Sequence, residues 1–426
     1  MEPYLLGLVR EDKAMTMQGD ALGVEYDPYA PGFDADPFPV FKELREKAPV
    51  YFWKTAGAWI LTKFDDVIQA LRDPRLSLDR RHWEYYQPNR FKPEHADYEL
   101  LLDNGLWNVS RADHGRIRRL VSSVFSPRAA TQMQELVQRV VDEMLDTIAD
   151  QTICDIAQSF SEDIAMVVMC QLLRIPQDGI PTFRRFGQAL LEGTSIWLQP
   201  EEFDRIIAPV APGVALLRQL IAERRANPGD DLLSNLIRAR DEGGKLSENE
   251  LLALVNTLIA AGTETTGHVI CYAVYNLLKH PEQLKLLRAD WSLIGKAIEE
   301  VMRFDYFGKG GVPRYALEDL EIRGTRIKKG QMIIPVLTSA HRDPDIFPNA
   351  DVFDITRDPF RNQTFGVGPH SCLGAPLGRA EAETAVCTLF QRFPDVKLVE
   401  PPTFGVHSYL RKIASLKVQL SSKNAV

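Results

Sequence analysis

The chain has few cysteines, no excess of basic charge and no long apolar run near its start. A formal net charge of -8 argues against a surface that as a whole seeks nucleic acid. The one early apolar run, YLLGLV, is too short for a signal-peptide core or a membrane span, so we expect neither. The five cysteines form no CxxC pair, which excludes a zinc ribbon or disulfide framework and favours the reducing cytoplasm; they are Cys154, Cys170, Cys271, Cys372 and Cys387.

Linkers are also missing. At 426 residues the chain exceeds the usual size of one domain, yet no Gly/Ser-rich, Pro-rich or single-sign charged stretch divides it. We therefore expect a monomer with one large domain over residues 26–426, preceded by a flexible extension over residues 1–25. Hydrophobic residues make up 45% of the chain, which is enough to build a sizeable core.

Periodicity predicts a mainly α fold with small peripheral β-sheets. Strand-like pieces are few and short: VYFW and AWILT around 50–62, LEIRG, TRIKKG and MIIPVL from 320 to 337, and SLKVQL near the C-terminus. Apolar residues three and four apart predict helices over residues 38–48, 64–73, 113–125, 129–149, 158–174, 202–226, 231–241, 247–278, 281–289 and 292–304.

The stretch 247–278 is unusually long for a globular helix and apolar on most of its circumference, which predicts a helix through the middle of the protein. At its centre, AAGTETTG weakens helix propensity at Gly262 and supplies three threonine hydroxyls. Glycine and threonine also occur inside helices without a function. The acid Glu264 favours a function, because a carboxylate in so buried an element needs a partner or a purpose.

Two further groups combine charged residues. In EEVMRF, Glu300 and Arg303 stand three apart, and a downstream arginine, Arg357, allows one carboxylate to be clamped by two guanidinium groups. On an exposed helix the same pair would be a minor stabiliser. In SRADHGRIRRLVSSVF, His114 and Arg118 stand four apart in a basic segment.

The segment FGVGPHSCLG, residues 365–374, places Cys372 among three glycines, a proline and a histidine. A cysteine that only packs in the core behaves as a small apolar residue and needs no such permissive backbone. A zinc site built from His370 and Cys372 lacks further ligands at recognisable spacing. The pattern therefore points to chemistry at the Cys372 sulfur. We call residues 365–374 the cysteine loop.

The motifs DHxxxR, AGxETT, ExxR, R-x-A and FGxGxHxCxG follow one another in this order, and the chain thereby resembles the cytochrome P-450 haem-thiolate monooxygenases. The resemblance runs from about residue 30 to about residue 420, and the cysteine loop is its most specific part. It implies the cytochrome P-450 fold, with haem b (iron protoporphyrin IX) between the long central helix and the cysteine loop.

The resemblance also implies roles for the residues around the haem. Cys372 is the axial ligand of the iron, Phe365 packs beside its sulfur, and the loop glycines let backbone N–H groups approach the thiolate. Glu300, Arg303 and Arg357 match the structural triad of the family. The residues expected to bind the cofactor, including the cationic donors to its propionates, are His114, Arg118, Gly262, Arg314, Phe365, Gly366, His370, Cys372 and Gly374.

Two residues of the central helix match the acid and alcohol pair that activates oxygen. Thr265 is expected to hydrogen-bond dioxygen or a nearby water, Glu264 to relay protons from solvent, and Gly262 to let oxygen and substrate lie against the helix. A peroxygenase and a non-catalytic haem sensor are the alternatives. Neither of these alternative functions explains why Glu264 and Thr265 stand next to each other.

Electrons have to come from a separate partner, because the chain contains no flavin or nicotinamide fingerprint and no iron–sulfur cysteine cluster. The expected partners are a ferredoxin and an NAD(P)H-dependent ferredoxin reductase. Arg111, Arg116 and Arg119 suit a solvated basic face, which could attract an acidic ferredoxin despite the negative overall charge.

For the substrate, the resemblance implies a mostly apolar pocket with room above the iron at Ala261, Gly310 and Gly311, which suits a bulky apolar molecule. Strings such as FRRFG and IKKGxM are similar to bacterial macrolide-tailoring members of the family. They favour hydroxylation or epoxidation of a polyketide or macrolide in secondary metabolism, with a terpenoid or fatty acid as the alternative. The expected lining residues are Trp83, Tyr85, Trp107, Leu191, Ile196, Trp197, Leu258, Ala261, Gly310, Gly311, Val312, Phe404 and Val406.

Overall fold

The computed structural model describes residues 23–87, 91–195, 198–241, 245–405, 407 and 409–420. Its α-helices are α1 (Phe38–Lys47), α2 (Phe64–Arg72), α3 (Ala96–Asn104), α4 (Arg111–Val121), α5 (Pro127–Gln132), α6 (Gln134–Ile148), α7 (Glu162–Leu173), α8 (Ile180–Gly193), α9 (Pro200–Ile207), α10 (Val210–Ala226), α11 (Leu232–Asp241), α12 (Glu248–Lys279), α13 (Pro281–Ala289), α14 (Ile294–Phe304), α15 (Leu337–Ala340) and α16 (Ala375–Arg392).

Its strands are short. They are β1 (Val50–Trp53), β2 (Ala58–Leu61), β3 (Leu76–Ser77), β4 (Ile153–Asp155), β5 (Arg314–Ala316), β6 (Leu320–Ile322), β7 (Thr325–Ile327), β8 (Met332–Pro335), β9 (Lys397–Leu398), β10 (Thr403–Gly405), β11 (Lys412–Ser415) and β12 (Lys417–Gln419). The prediction of a mainly α fold with small sheets is confirmed.

Helix α12 runs through the centre of the protein, as its apolar circumference predicts. Its start is a capping box: the Ser247 hydroxyl accepts from the Glu250 N–H at 3.1 Å, and the Glu250 carboxylate accepts from the Ser247 N–H at 2.7 Å. It ends at His280, before Pro281, which cannot continue a helix. Helices α3, α7, α8 and α16 pack around it, so most of its side chains are buried.

Four helices were missed by periodicity: α3, α8, α15 and α16. The reason is clearest for α16, which buries Glu381 and Thr384 together with its apolar residues, so no apolar stripe marks its inner face. The predicted helix over 202–226 is two helices, α9 and α10, with Pro209 at the boundary between them. The predicted helix over 129–149 is likewise divided, at Met133, between α5 and α6.

The largest sheet has the strand order β1-β2-β8-β5-β3, in which β2 and β8 are parallel and the other pairs antiparallel. It is less peripheral than expected, because every residue of β2 and β8 is buried between two hydrophobic clusters. Strand β5 was not predicted, and it carries Arg314. Smaller sheets pair β4-β12-β9, β10-β11 and β6-β7.

Candidate active site

The cysteine loop folds back on itself around Cys372. The Cys372 N–H donates to the carbonyl of Phe365 at 2.7 Å, which closes the loop. Gly366 and Gly368 have φ values of +69° and +79°, in the left-handed region that favours glycine. Gly374 has a φ of -81°, which any residue adopts. The expected backbone freedom is therefore required at Gly366 and Gly368, and the expectation for Gly374 is corrected.

Positive groups surround the sulfur of Cys372. Burial raises the pKa of the thiol, although the residue keeps some exposed surface. The N–H groups of Gly374 and Ala375 and the guanidinium groups of Arg118 and Arg379 act in the opposite direction and favour the thiolate. Gly374 therefore serves through its N–H group. This set of donors suits a sulfur that carries negative charge as a metal ligand.

A buried carboxylate clamp is centred on Glu300 of α14. Glu300 accepts two hydrogen bonds from Arg303, at 2.7 and 2.8 Å, and one from Arg357 at 3.3 Å. Arg303 also donates to the carbonyls of His341 and Ala350 at 2.9 and 2.8 Å. The predicted clamp of one carboxylate by two guanidinium groups is confirmed, and its burial makes it more than a surface ion pair.

Four predicted cofactor residues bring nitrogen-rich side chains to one side of the cysteine loop. The rings of His114 and His370 lie 3.9 Å apart, centroid to centroid. Arg118 approaches the Ser371 hydroxyl at 3.4 Å. Desolvation, His114, Arg314 and Arg118 together lower the pKa of His370 to about 3.

The donors of this cluster are only partly satisfied: Arg314 donates to the carbonyls of Val312 and Pro313 at 3.0 and 3.3 Å. The Nε2 atom of His114 is buried and has no hydrogen-bond partner among the described residues. No carboxylate of the described residues acts on Arg118 or Arg314, and burial lowers the pKa of Arg314 to about 10. Arg314 is buried without a counter-ion among the described residues, and such a cation requires an anionic partner. The residues therefore fit a group with carboxylates, such as the two propionates of haem.

Thr265 lies on α12 and is half-buried. Its hydroxyl donates to the carbonyl of Ala261, one turn earlier, at 2.8 Å. Because the hydrogen is used in this way, the oxygen lone pairs remain free to accept a hydrogen bond. Thr263 makes the same bond to Ile259 at 2.8 Å, so both hydroxyls return to the helix backbone as the sequence indicated.

Gly262 faces a neighbouring helix. A Cβ at this position would lie 2.4 Å from the methyl group of Met169 on α7. The missing side chain therefore makes room for Met169, which is a packing reason for glycine that the sequence did not reveal. The expected approach of oxygen and substrate to Gly262 stays a prediction.

Glu264 is buried, and neither of its carboxylate oxygens has a hydrogen-bond partner among the described residues. Two histidines approach its Oε1 atom: His407 Nε2 at 3.5 Å and His268 Nε2 at 3.8 Å. Desolvation raises the pKa of Glu264, but the histidines and Lys412 outweigh it and leave the pKa below its ordinary value. His407 was missed from the sequence because it lies far along the chain, whereas His268, one turn after Glu264, could have been found.

The predicted pocket residues divide between two parts of the structure. Leu191 of α8, Leu258 of α12 and Phe404 of β10 contact the same hydrophobic cluster around the central helix. Trp83 instead belongs to a cluster beneath the five-stranded sheet, with Tyr85 packed edge-on against it at 5.6 Å. Trp83 and Tyr85 are therefore not brought together with the first three.

The remaining pocket residues are more varied. A Cβ on Gly311 would lie 1.8 Å from the Pro335 carbonyl, so this glycine permits a close backbone approach and does not create open space, which corrects the expectation. Val312 has an exposed side chain. Ala261, Gly310 and Trp107 are partly buried. Three predicted residues lie outside the described residues: Ile196, Trp197 and Val406.

The basic face of α4 is smaller than the sequence suggested. Arg116 is ion-paired with Glu250 at 2.5 Å and with Asp113 at 2.8 Å, which corrects its assignment to a free solvated face. Arg111 and Arg119 are exposed. Two of the three arginines thus remain available to a partner.

Among haem proteins, the haem-thiolate oxygenases are distinguished by a cysteine thiolate that binds the iron. An acid and an alcohol side chain stand together in the same site. Comparison with known proteins agrees. The family model for cytochrome P450 matches residues 82–404. The chain is 41% identical over 406 residues to epothilone C/D epoxidase of Sorangium cellulosum, covering 94% of this chain and 96% of the relative.

Two further comparisons agree. The chain is 34% identical to 6-deoxyerythronolide B hydroxylase of Saccharopolyspora erythraea, covering 86% and 91% of the two chains. The solved structure of epothilone B-bound cytochrome P450epoK matches with a TM-score of 0.86 and 39% identity, covering 94% of this chain and all of that one. The chain belongs to the cytochrome P450 family. It is a monooxygenase that uses haem and takes electrons from outside redox partners.

One helical stretch, Pro200–Ala226, is long and apolar enough by composition to cross a membrane. In the structure it is the two helices α9 and α10, and five aliphatic residues of α10 are buried against the protein; they are Val210, Val214, Leu217, Leu220 and Ile221. Length and composition alone are weak evidence of a span, and this packing provides the reason for the apolar composition.

Proposed function

We propose that this enzyme inserts one oxygen atom from dioxygen into a polyketide or macrolide, by hydroxylation or epoxidation, in secondary metabolism. The observation that carries the proposal is the 41% identity to epothilone C/D epoxidase over 94% of the chain. The second support is the name of the 34% identical relative, 6-deoxyerythronolide B hydroxylase. The partly buried apolar residues Leu191 and Phe404 beside α12 suit a large apolar molecule.

The cofactor in this proposal is haem b. When bound, it supplies the oxygen-activating iron, and the thiolate ligand increases the electron density available for O–O cleavage. Cys372 holds the iron through its sulfur, beside the N–H groups of Gly374 and Ala375. Arg118, Arg314 and the two histidines hold the propionates as hydrogen-bond donors or cations.

Proton delivery is assigned to Glu264 and Thr265. The Thr265 hydroxyl is fixed by its bond to the Ala261 carbonyl, so its oxygen accepts a hydrogen bond in a defined direction. Glu264 directly precedes Thr265 in the chain. Its carboxylate is buried and lacks hydrogen bonds among the described residues, so it is available to take up and release a proton. Together they supply protons to the site of oxygen activation.

A ferredoxin and its NAD(P)H-dependent reductase supply the electrons, and the enzyme works in the cytoplasm. The exposed Arg111 and Arg119 support docking of an acidic ferredoxin on the face that carries α4. No step in this proposal needs nucleic acid or a second copy of the chain.

The test is a substrate screen followed by turnover. Purified holoenzyme is titrated with a panel of macrolides, linear polyketides, terpenoids and fatty acids, and binding is followed by the spin-state change of the ferric haem. Binders are then incubated with ferredoxin, reductase and NADPH, or with hydrogen peroxide alone. We expect macrolides to bind and to gain one oxygen atom only with the electron-transfer system. Oxidation of terpenoids or fatty acids alone, or equal turnover with peroxide alone, would contradict the proposal.

A further inference from the structure

The surroundings of Glu264 suggest where its protons come from. His407 Nε2 lies 3.5 Å from Glu264 Oε1 and 4.0 Å from Oε1 of a second acid, Glu192 on α8. The two carboxylate oxygens are therefore no more than 7.5 Å apart, the sum of these distances. One or two water molecules at hydrogen-bond spacing span such a gap.

The tautomer of His407 is fixed by the backbone. Its Nδ1 atom accepts hydrogen bonds from the N–H groups of Tyr409 at 3.1 Å and Leu410 at 3.0 Å. An acceptor nitrogen carries no hydrogen, so the ring proton lies on Nε2, the atom that faces both carboxylates. Protonation of Nδ1 would break both backbone bonds. His407 is therefore a fixed donor and does not itself pass protons from one nitrogen to the other.

The two acids around this donor differ in their access to solvent. The Glu192 side chain is 33% exposed, whereas the Glu264 side chain is 6% exposed. Desolvation raises the pKa of Glu192, and the nearby Glu264 charge adds to this effect. Glu192 can regain a proton from water because it is partly exposed, whereas the enclosed Glu264 needs a donor inside the protein.

Other titratable groups face the same cluster. Lys412 forms an ion pair with Glu162 at 3.0 Å and also acts on both acids of the cluster. Burial lowers the pKa of His268 to about 4, so this histidine is neutral near pH 7 and cannot supply the proton there. Glu202 adds negative charge near Glu192 without contacting His407.

We infer that Glu192 is the acid that resupplies Glu264 with protons from solvent, and that His407 is the positioning residue, because its Nε2–H group lies between the two carboxylates. In each transfer the O–H bond of the Glu192 carboxyl breaks, an O–H bond forms on Glu264, and Glu192 takes a replacement proton from water. Nothing is oxidised or reduced. The inference rests on the proposed role of Glu264 and Thr265 in proton delivery.

The experiment compares Glu192→Gln with Glu264→Gln in the holoenzyme, and Glu202→Gln is the matched control. We expect Glu192→Gln to bind substrate normally, to lower product per electron about tenfold and to enlarge the solvent deuterium isotope effect. Glu192→Asp should recover part of the loss, and Glu202→Gln should match wild type.

The two proposals fail in different ways. If Glu192→Gln keeps the wild-type isotope effect and the wild-type product per electron while Glu264→Gln is impaired, the role of Glu192 is wrong and the role of Glu264 stands. Wild-type values in both variants would overturn the role of Glu264 as well. The tautomer is read independently of turnover, from the ¹⁵N shifts of His407 in the diamagnetic reduced carbon monoxide complex, assigned with His407→Gln. We expect an unprotonated Nδ1, and a protonated Nδ1 would overturn the positioning role.

Discussion

The polar groups of the cysteine loop and of the Glu300 clamp are hydrogen-bonded, whereas the Glu264 carboxylate on α12 is not. In the loop, the Cys372 N–H is bonded to the Phe365 carbonyl, and on α14 the Glu300 carboxylate accepts from Arg303 and Arg357. On the central helix, Glu264 is also buried, yet its oxygens lack hydrogen bonds among the described residues. Saturated polar groups hold a geometry, whereas an unsaturated buried acid can exchange a proton. In the proposed mechanism, the first region holds the iron ligand and the second moves protons.

The largest effect is expected when the proposed iron ligand, Cys372, is replaced. Cys372→His should retain haem but lose the red-shifted absorption of the carbon monoxide complex, because imidazole donates much less charge than thiolate. Monooxygenation should be lost with it. Cys387→Ser, in α16 after the same loop, is the control and should keep the thiolate band. Retention of that band in Cys372→His would place the ligand elsewhere.

The next test removes the Glu300 carboxylate, whose oxygens are fully hydrogen-bonded. Glu300→Ala leaves Arg303 and Arg357 without their carboxylate, and Arg303 is 2% exposed. We expect a loss of about 3–5 kcal/mol in the free energy of unfolding, since an unpaired buried charge remains. Glu299→Ala breaks a pair with the half-exposed Arg379 and should cost about 1 kcal/mol or less. Urea denaturation of the two holoproteins measures both, and equal costs would refute the distinction.

Glu381 joins the two regions, because this residue of α16 bonds to Thr266 of α12. Burial raises its pKa from 4.5 to about 8. The folded state therefore binds the extra proton, and this contribution to stability is lost as pH rises through about 8. Glu381→Gln mimics the neutral form and should stabilise the protein by a few kcal/mol at pH 9 and little at pH 4. Unfolding free energies that change equally with pH in both proteins would contradict this.

The same contrast explains what the sequence could reveal. The cysteine loop and the Glu300 clamp were predictable because their geometry depends on glycine conformations and on a pair three residues apart. Glu264 was predicted as functional, but its partners Glu192 and His407 come from α8 and from near the C-terminus, where only the tertiary fold joins them. For the same reason Arg116 looked free in the sequence, although it is paired with Glu250.

A smaller effect is expected at Thr265. Thr265→Ala should keep haem, fold and substrate binding, since alanine has the higher helix propensity. Product per electron should fall about tenfold, with peroxide accounting for the difference, because the hydroxyl acts only after oxygen binds. Thr265→Ser restores the hydroxyl and should recover much of the coupling. Simultaneous measurement of NADPH, peroxide and product decides, and unchanged coupling in Thr265→Ala would leave Thr265 a packing residue.

The smallest effect is expected on the surface of α4, where charges are neither buried nor saturated. Arg111→Gln combined with Arg119→Gln should slow reduction by a ferredoxin a few-fold at low salt, because exposed charges act mainly on the association rate. Arg116→Gln is the matched control: its charge is already paired with Glu250 and Asp113, so it should leave the rate nearly unchanged. Added salt should remove the difference between the double variant and wild type, because it screens exposed charges. Stopped-flow reduction across a salt series measures this, and a larger effect of Arg116→Gln than of the double variant would show that the paired arginine forms the docking surface.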